Sequence, residues 1–233
     1  MTINKVSRPF SSNKTVSELL IILLAIRATI ALVAIALSFY EVMVLSRTLS
    51  AVIDPISRDE IRRIIGAIYI LLYLLTSGFS LLWFYRAHRN LPALGVLRGK
   101  YSSPWNILLF FVPIANLYFG YDLMSELWKQ SNPDVGFSDD FLRRHASPLK
   151  QYSSKTALIG CWWFFTIASA VVARIASQNS LPGAGVSDYI TEAVILMISD
   201  AFGIVGSIML IALVTKINER QKEKYRRLVL EAV

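Results

Sequence analysis

The sequence predicts an all-α integral membrane helical bundle, with four spanning helices and one further helix that does not cross. Of its 233 residues, 55% are hydrophobic and 17% are charged, whereas soluble domains average about 25% charged residues. The apolar residues form runs of about 20 or more, a length that crosses a hydrocarbon core. The surplus of positive charge, +8 overall, lies beside these runs, as is typical of membrane proteins.

The four spans are expected to belong to one membrane domain over residues 1–233. Each run is long enough for a core of about 30 Å at about 1.5 Å of rise per residue. The second run carries no charge and ends in Trp83 and Tyr85, which predicts an aromatic anchor at an interface. The predicted spans are about 19–45, 64–85, 156–177 and 190–217.

A fifth apolar segment, 104–130, is predicted to be a proline-broken re-entrant or interfacial helix. Ser103 and Pro104 are typical of a helix start, but Pro113 and Asn116 interrupt the apolar run. After this break the apolar residues recur on one helical face, at Leu117, Tyr121, Met124 and Trp128. An amphipathic helix of this kind lies along an interface and does not cross it.

Positive charges favour four spans over five, because Lys and Arg concentrate on the cytoplasmic side. Four spans with both termini cytoplasmic place 18 Lys and Arg inside and 4 outside. The better five-span arrangement places 15 inside and 7 outside. Residues 218–233 then form a basic cytoplasmic tail, which would lie solvated near the membrane or dock on anionic lipid or on a partner.

Two stretches, Trp83–Gly95 and Ser103–Lys129, carry a family resemblance. Their pattern is aromatic-Tyr-Arg-Ala-x-Arg-Asn-Leu, then Ser-Pro with a nearby Trp, then Phe-x-Pro-x-x-Asn-Leu and Glu-x-Trp. The chain resembles the bacterial multi-spanning membrane family known as domain of unknown function 4328. Val214–Gln221 (VTKINERQ) is similar to that family's closing helix, whereas Gly120 stands where a proline is expected. The resemblance implies a multi-pass protein of the bacterial inner membrane with no assigned activity.

Ionisable residues inside the spans are the first candidate site, because each is costly in lipid unless it is paired or hydrated. Arg27 and Asp200 are both expected near mid-depth, where they could pair. Glu41 and Arg174 are expected near the outer surface and form a second candidate pair. The Arg27–Asp200 pair would either handle a proton, an ion or a small anion, or simply fix helix register, and Arg27 could also snorkel to the inner face.

A stripe of small residues on the last span is a candidate packing surface. Ser199, Gly203 and Ser207 recur every four residues, and this spacing lets helix backbones approach closely. Both intramolecular packing and homo-oligomerisation fit the pattern.

Arg86, Arg89 and Asn90 follow the second span and are candidates for binding lipid headgroups. Guanidinium groups bind phosphate through two parallel hydrogen bonds. The same residues could instead cap the helix, since cations favour its C-terminal end. Asn90 precedes Leu91-Pro92, and a proline disfavours helix at the residue before it, so the helix is expected to stop here.

Catalysis finds little support in the sequence. The two histidines, His88 and His145, have no metal-ligand partner at useful spacing, and Cys161 lies in an apolar run. We therefore expect no catalytic residue, metal or cofactor, and no nucleic-acid partner. The leading hypothesis is a non-enzymatic interaction or accessory protein that contacts anionic lipid and forms a homo-oligomer or binds a membrane or cytoplasmic protein. The alternative is a small transporter or channel that uses Arg27, Asp200 and the Pro113–Asn116 break.

Overall fold

A computed structural model describes residues 10–47, 55–96, 113–135, 157–179 and 186–231. Within these ranges every regular element is a helix, which confirms the all-α class. The elements are α1 (Lys14–Arg47), α2 (Pro55–Arg89), a short 3-10 helix (Leu91–Leu94), α3 (Pro113–Gln130), α4 (Ala157–Asn179) and α5 (Val186–Glu231).

Four of these helices, α1, α2, α4 and α5, are long and apolar enough to cross a membrane. Many large apolar side chains on them are exposed, among them Tyr40, Ile70 and Phe164. Such exposure is unfavourable in water and costs nothing against lipid tails. The 46 residues of α5 extend about 70 Å, more than twice the hydrocarbon thickness, so its charged end continues beyond any span. The prediction of four candidate spans and a fifth helix is confirmed.

The described helices form two compact units. The first unit comprises Met1–Leu20, Phe79–Gly160 and Ile211–Val233, and the second comprises Ile21–Gly78 and Cys161–Leu210. The long helices α1, α2, α4 and α5 each contribute residues to both units. The first unit holds the family-like motif, α3 and the charged end of α5, whereas the second holds the ionisable residues of the spans.

The end of α2 follows from its sequence. The helix stops at Arg89, Asn90 follows in a turn, and Pro92 takes an early position of the 3-10 helix. Gly95 then closes this element with φ 79°, and its N–H bonds back to the carbonyls of Leu91 and Pro92. Glycine adopts this left-handed conformation without a steric penalty. The predicted stop at Asn90 is therefore confirmed.

The amphipathic helix α3 begins at Pro113, where the missing N–H costs no hydrogen bond. Met124 and Trp128 on its apolar face are buried within the protein, and its position along a membrane interface stays a prediction. Ser125, on the opposite face, is also buried, so α3 is covered on more than one side. The expected helix start at Ser103-Pro104 and the side chain of Asn116 lie outside the described residues.

The ends of α2 and α3 meet at one side chain in the first unit. Gln221 Nε2 donates to the Ala87 carbonyl at 3.0 Å and to Ser131 Oγ at 3.2 Å. A single membrane crossing between residues 87 and 131 would separate these two groups by about 30 Å. The end of α2 and the end of α3 therefore lie at the same level of the first unit.

Candidate functional site

Three helices of the first unit are joined by a set of polar contacts, which we call the Trp83 junction (Asn13, Ser17, Trp83 and Asn218). Trp83 Nε1 donates to Asn218 Oδ1 at 3.3 Å, and Asn218 Nδ2 donates to Ser17 Oγ at 2.6 Å. Asn13 Nδ2 donates to the Trp83 carbonyl at 3.4 Å. Ser17, Trp83 and Asn218 belong to α1, α2 and α5, so one level of the unit holds all three helices in register.

The junction changes the interpretation of Trp83. The sequence predicts an aromatic anchor that faces an interface, but the Trp83 side chain is 0% exposed and its indole N–H is bonded to Asn218. The physical reason is that Asn218 offers a partly buried acceptor, and a buried indole N–H needs a hydrogen-bond partner. Tyr85, the other residue of the predicted anchor, is exposed.

Asn90 and Arg86 bind the segment that precedes α1. Asn90 Nδ2 donates to the Ser11 carbonyl at 2.9 Å, and the Ser11 N–H donates to Asn90 Oδ1 at 3.2 Å. Arg86 Nη2 donates to the Ser12 carbonyl at 3.4 Å. Asn90 is buried, and its side chain makes no cap hydrogen bond to the 3-10 helix that follows, so its amide is used to hold Ser11. Of the three candidates for lipid contact, Arg89 is the exposed one.

Two cations near the end of α5, Lys224 and Arg227, are buried against α3 and the turn that follows it. Lys224 Nζ donates to the Gln130 carbonyl at 2.9 Å. Arg227 Nη1 donates to the Pro133 carbonyl at 3.2 Å and to Asp134 at 2.9 Å. The last carbonyls of a helix lack intrahelical partners and attract cations, which explains the contact of Lys224. Arg227 instead lies inward because Asp134 supplies a carboxylate. The expectation of a solvated tail over 218–233 is therefore wrong for Lys224 and Arg227.

Two further side chains of α5 show how the buried and exposed faces of its charged end differ. Arg220 is 2% exposed, and its guanidinium lies 4.1 Å from the centre of the Trp128 ring, a cation–π contact. On the exposed side, Arg226 forms an ion pair with the Glu223 carboxylate at 2.8 Å. On the buried side, Arg227 forms an ion pair with the same carboxylate at 2.9 Å.

In the second unit the structure brings together three polar side chains, which we call the membrane cluster (Arg27, Tyr69 and Asp200). They come from α1, α2 and α5, and each is half-buried. Asp200 interacts electrostatically with Arg27 and lies beside Tyr69. The Tyr69 hydroxyl is buried without a hydrogen bond of ordinary geometry to the described residues. The sequence suggested Arg27 and Asp200, but Tyr69 gave no signal, because a tyrosine in an uncharged run is expected to face lipid.

The small residues of α5 pack against α4. Ser199 and Ser169 exchange hydrogen bonds, each hydroxyl donating to the other residue's carbonyl at 2.9 Å. A Cβ on Gly203 would lie 3.3 Å from Ser169 Oγ, so the two helices approach closely here. Ser207 bonds within α5, to the Gly203 carbonyl. These contacts are intramolecular, which is one of the two readings that the sequence left open.

Enlarging Gly203 is expected to loosen this contact. Gly203→Leu should destabilise the protein by about 1–3 kcal/mol, the usual cost of overpacking, because the added side chain meets Ser169. Gly78→Leu in α2 is the matched control, since nothing lies within 4 Å of a Cβ at that position. Thermal unfolding in mild detergent measures both variants, and equal melting temperatures would contradict the proposed close approach.

The remaining candidates are not joined by the contacts described. Glu41 in α1 is half-buried and Arg174 in α4 is exposed, and their pairing stays a prediction. His88 is held by the Phe84 carbonyl, 3.0 Å from its Nδ1. Among the described residues, no three His, Cys, Asp or Glu side chains are arranged to hold a metal ion.

Comparison with known proteins gives one finding. No curated protein and no solved structure matches the chain significantly. A family model does match, over most of the chain, and it includes the motif at Trp83–Asn90 together with Asn218. By this match over residues 53–219, the chain belongs to the family described as domain of unknown function DUF4328.

Proposed function

We propose that the chain is a non-enzymatic multi-pass protein of the bacterial inner membrane, with both termini cytoplasmic. In this proposal it acts as an interaction or accessory protein, as a homo-oligomer or with a protein partner, and it contacts anionic lipid. The observation that carries the proposal is the position of two exposed cations, Arg89 and Lys216, beside the Trp83 junction. Three apolar helices converge at that level.

The distances along the helices support a role at the headgroup level. Lys216 precedes Asn218 by two residues, about 3 Å along the helix, and Arg89 follows Trp83 by six, about 9 Å. The inner leaflet carries anionic lipid, and each basic side chain near its surface contributes about 1 kcal/mol of attraction. Most other cations of the motif and of the α5 end bond to groups of the chain itself, and we take Arg89 and Lys216 as the preferred contacts.

Removing these two charges is expected to weaken the preference for anionic lipid. In nanodiscs of mixed phosphatidylcholine and phosphatidylglycerol, Arg89→Gln with Lys216→Gln should reduce phosphatidylglycerol enrichment around the protein, about fivefold for each charge. Native mass spectrometry of co-purified lipid measures the enrichment. The matched control is Arg226→Gln, an exposed cation on the same helix whose guanidinium is already bound by Glu223. Unchanged enrichment in the double variant would overturn the lipid contact.

The membrane cluster favours a second candidate function, a small transporter or channel. A half-buried carboxylate, guanidinium and phenol on three spans are a costly arrangement in lipid and are typical of proton or ion pathways. The Pro113–Asn116 segment, the other part of this hypothesis, forms the start of α3. Flux of protons or ions into proteoliposomes that disappears in Asp200→Asn would favour transport over an accessory role.

A further inference from the structure

The four residues before α1, Phe10–Asn13, lie in no regular element and are bound through their backbone. Asn90 pairs with both the N–H and the carbonyl of Ser11, as a neighbouring strand would. Arg86 donates to the next carbonyl, that of Ser12. The side chains of Ser11 and Ser12 are exposed, so Asn90 and Arg86 bind this part of the segment through its backbone and not through its side chains.

Both ends of the segment are fixed by side chains. The Phe10 ring stacks on Tyr225 with centroids 4.8 Å apart and planes 17° from parallel. The Asn13 amide is buried and donates to the Trp83 carbonyl at 3.4 Å. An aromatic anchor, two residues held by their backbone and a buried polar anchor are the elements by which proteins recognise extended peptides.

The groups that bind the segment's backbone lie within the family match, whereas the segment and its aromatic partner Tyr225 lie outside it. Trp83, Arg86 and Asn90 lie within the matched residues 53–219, whereas Phe10–Asn13 lies before them. The groups that bind the backbone thus belong to the family motif, and the bound segment does not. Because the contacts to Ser11 and Ser12 are backbone contacts, another extended segment could satisfy them equally well.

We propose that Trp83, Arg86, Asn90 and Tyr225 form a binding site for an extended peptide, which the chain's own Phe10–Asn13 segment fills in cis. The preferred ligand has an aromatic residue followed by two residues without side-chain requirements and an asparagine. A tethered segment has a high effective concentration, so the site is masked until the segment is weakened.

The test uses the full-length chain in detergent and a fluorescent peptide with the sequence of residues 7–17. Ser11→Pro removes the N–H that donates to Asn90, and Phe10→Ala removes the stack on Tyr225. Fluorescence anisotropy should show saturable peptide binding to either variant, at least tenfold tighter than to the unmodified chain. Adding Asn90→Leu should abolish the increase in affinity, whereas adding Lys129→Gln, an exposed cation of α3, should leave it unchanged.

Size-exclusion chromatography and circular dichroism establish that the variants fold. No binding to either folded variant would overturn the proposal, as would binding that persists after Asn90→Leu. Aggregation of both Ser11→Pro and Phe10→Ala would also overturn it, because a segment that the fold requires cannot be an exchangeable ligand.

Discussion

Arg227→Met is expected to destabilise the first unit by about 3 kcal/mol, the lower end of the cost of breaking a buried ion pair. The Arg227 side chain is 5% exposed and bonds to Glu223, Asp134 and the Pro133 carbonyl. The loss stays at the lower end because Glu223 retains Arg226 and Asp134 is partly exposed. Thermal unfolding in mild detergent measures the change.

Arg226→Met is the matched control, since the neighbouring arginine shares the Glu223 carboxylate. Its side chain is 56% exposed, and exposed ion pairs contribute about 0–1 kcal/mol. Trypsin susceptibility of the α5 end gives a second readout, because Arg227→Met should release this end from the turn after α3. Equal stability of the two variants would show that the burial of Arg227 has no energetic consequence.

Periodicity and apolar run length predicted much of the fold. The four candidate spans, the stop of α2 at Asn90 and the apolar face of α3 with Met124 and Trp128 all follow from local rules of length, capping and spacing. The positions of Arg27 and Asp200 followed from counting residues into the spans, and the structure places the two close together. Each of these features is set by residues near in sequence or by the fixed thickness of a bilayer.

The side-chain partners could not be predicted, because they come from distant parts of the chain. Arg227 and Lys224 bind groups 94 residues away, so their burial is invisible in a tail that alternates acidic and basic residues. Trp83 faces inward because of Asn218, 135 residues farther along. Asn90 has an obvious local role as a helix stop, and that role gives no hint that its side chain holds Ser11.

The membrane cluster is expected to show strong coupling between Arg27 and Asp200. Asp200→Asn and Arg27→Gln should each destabilise the protein by about 3 kcal/mol, since each leaves an uncompensated charge within a span. The double variant should be more stable than the sum of the two losses predicts, by about 0.5–3 kcal/mol, the range for interacting residues. Unfolding in detergent of the wild type, both single variants and the double variant measures this coupling.

The stability of the double variant and its proteoliposome flux distinguish a structural pair from an ion pathway. If the pair fixes helix register, Arg27→Gln with Asp200→Asn restores stability, and proteoliposome flux is the same for all four proteins. If Asp200 carries a proton or ion, flux is lost in Asp200→Asn and stays lost in the stabilised double variant, because neutralising Arg27 supplies no new carboxylate. Arg174→Gln, an exposed cation on α4, controls for loss of charge alone. A double variant no more stable than either single variant would contradict the pairing of Arg27 with Asp200.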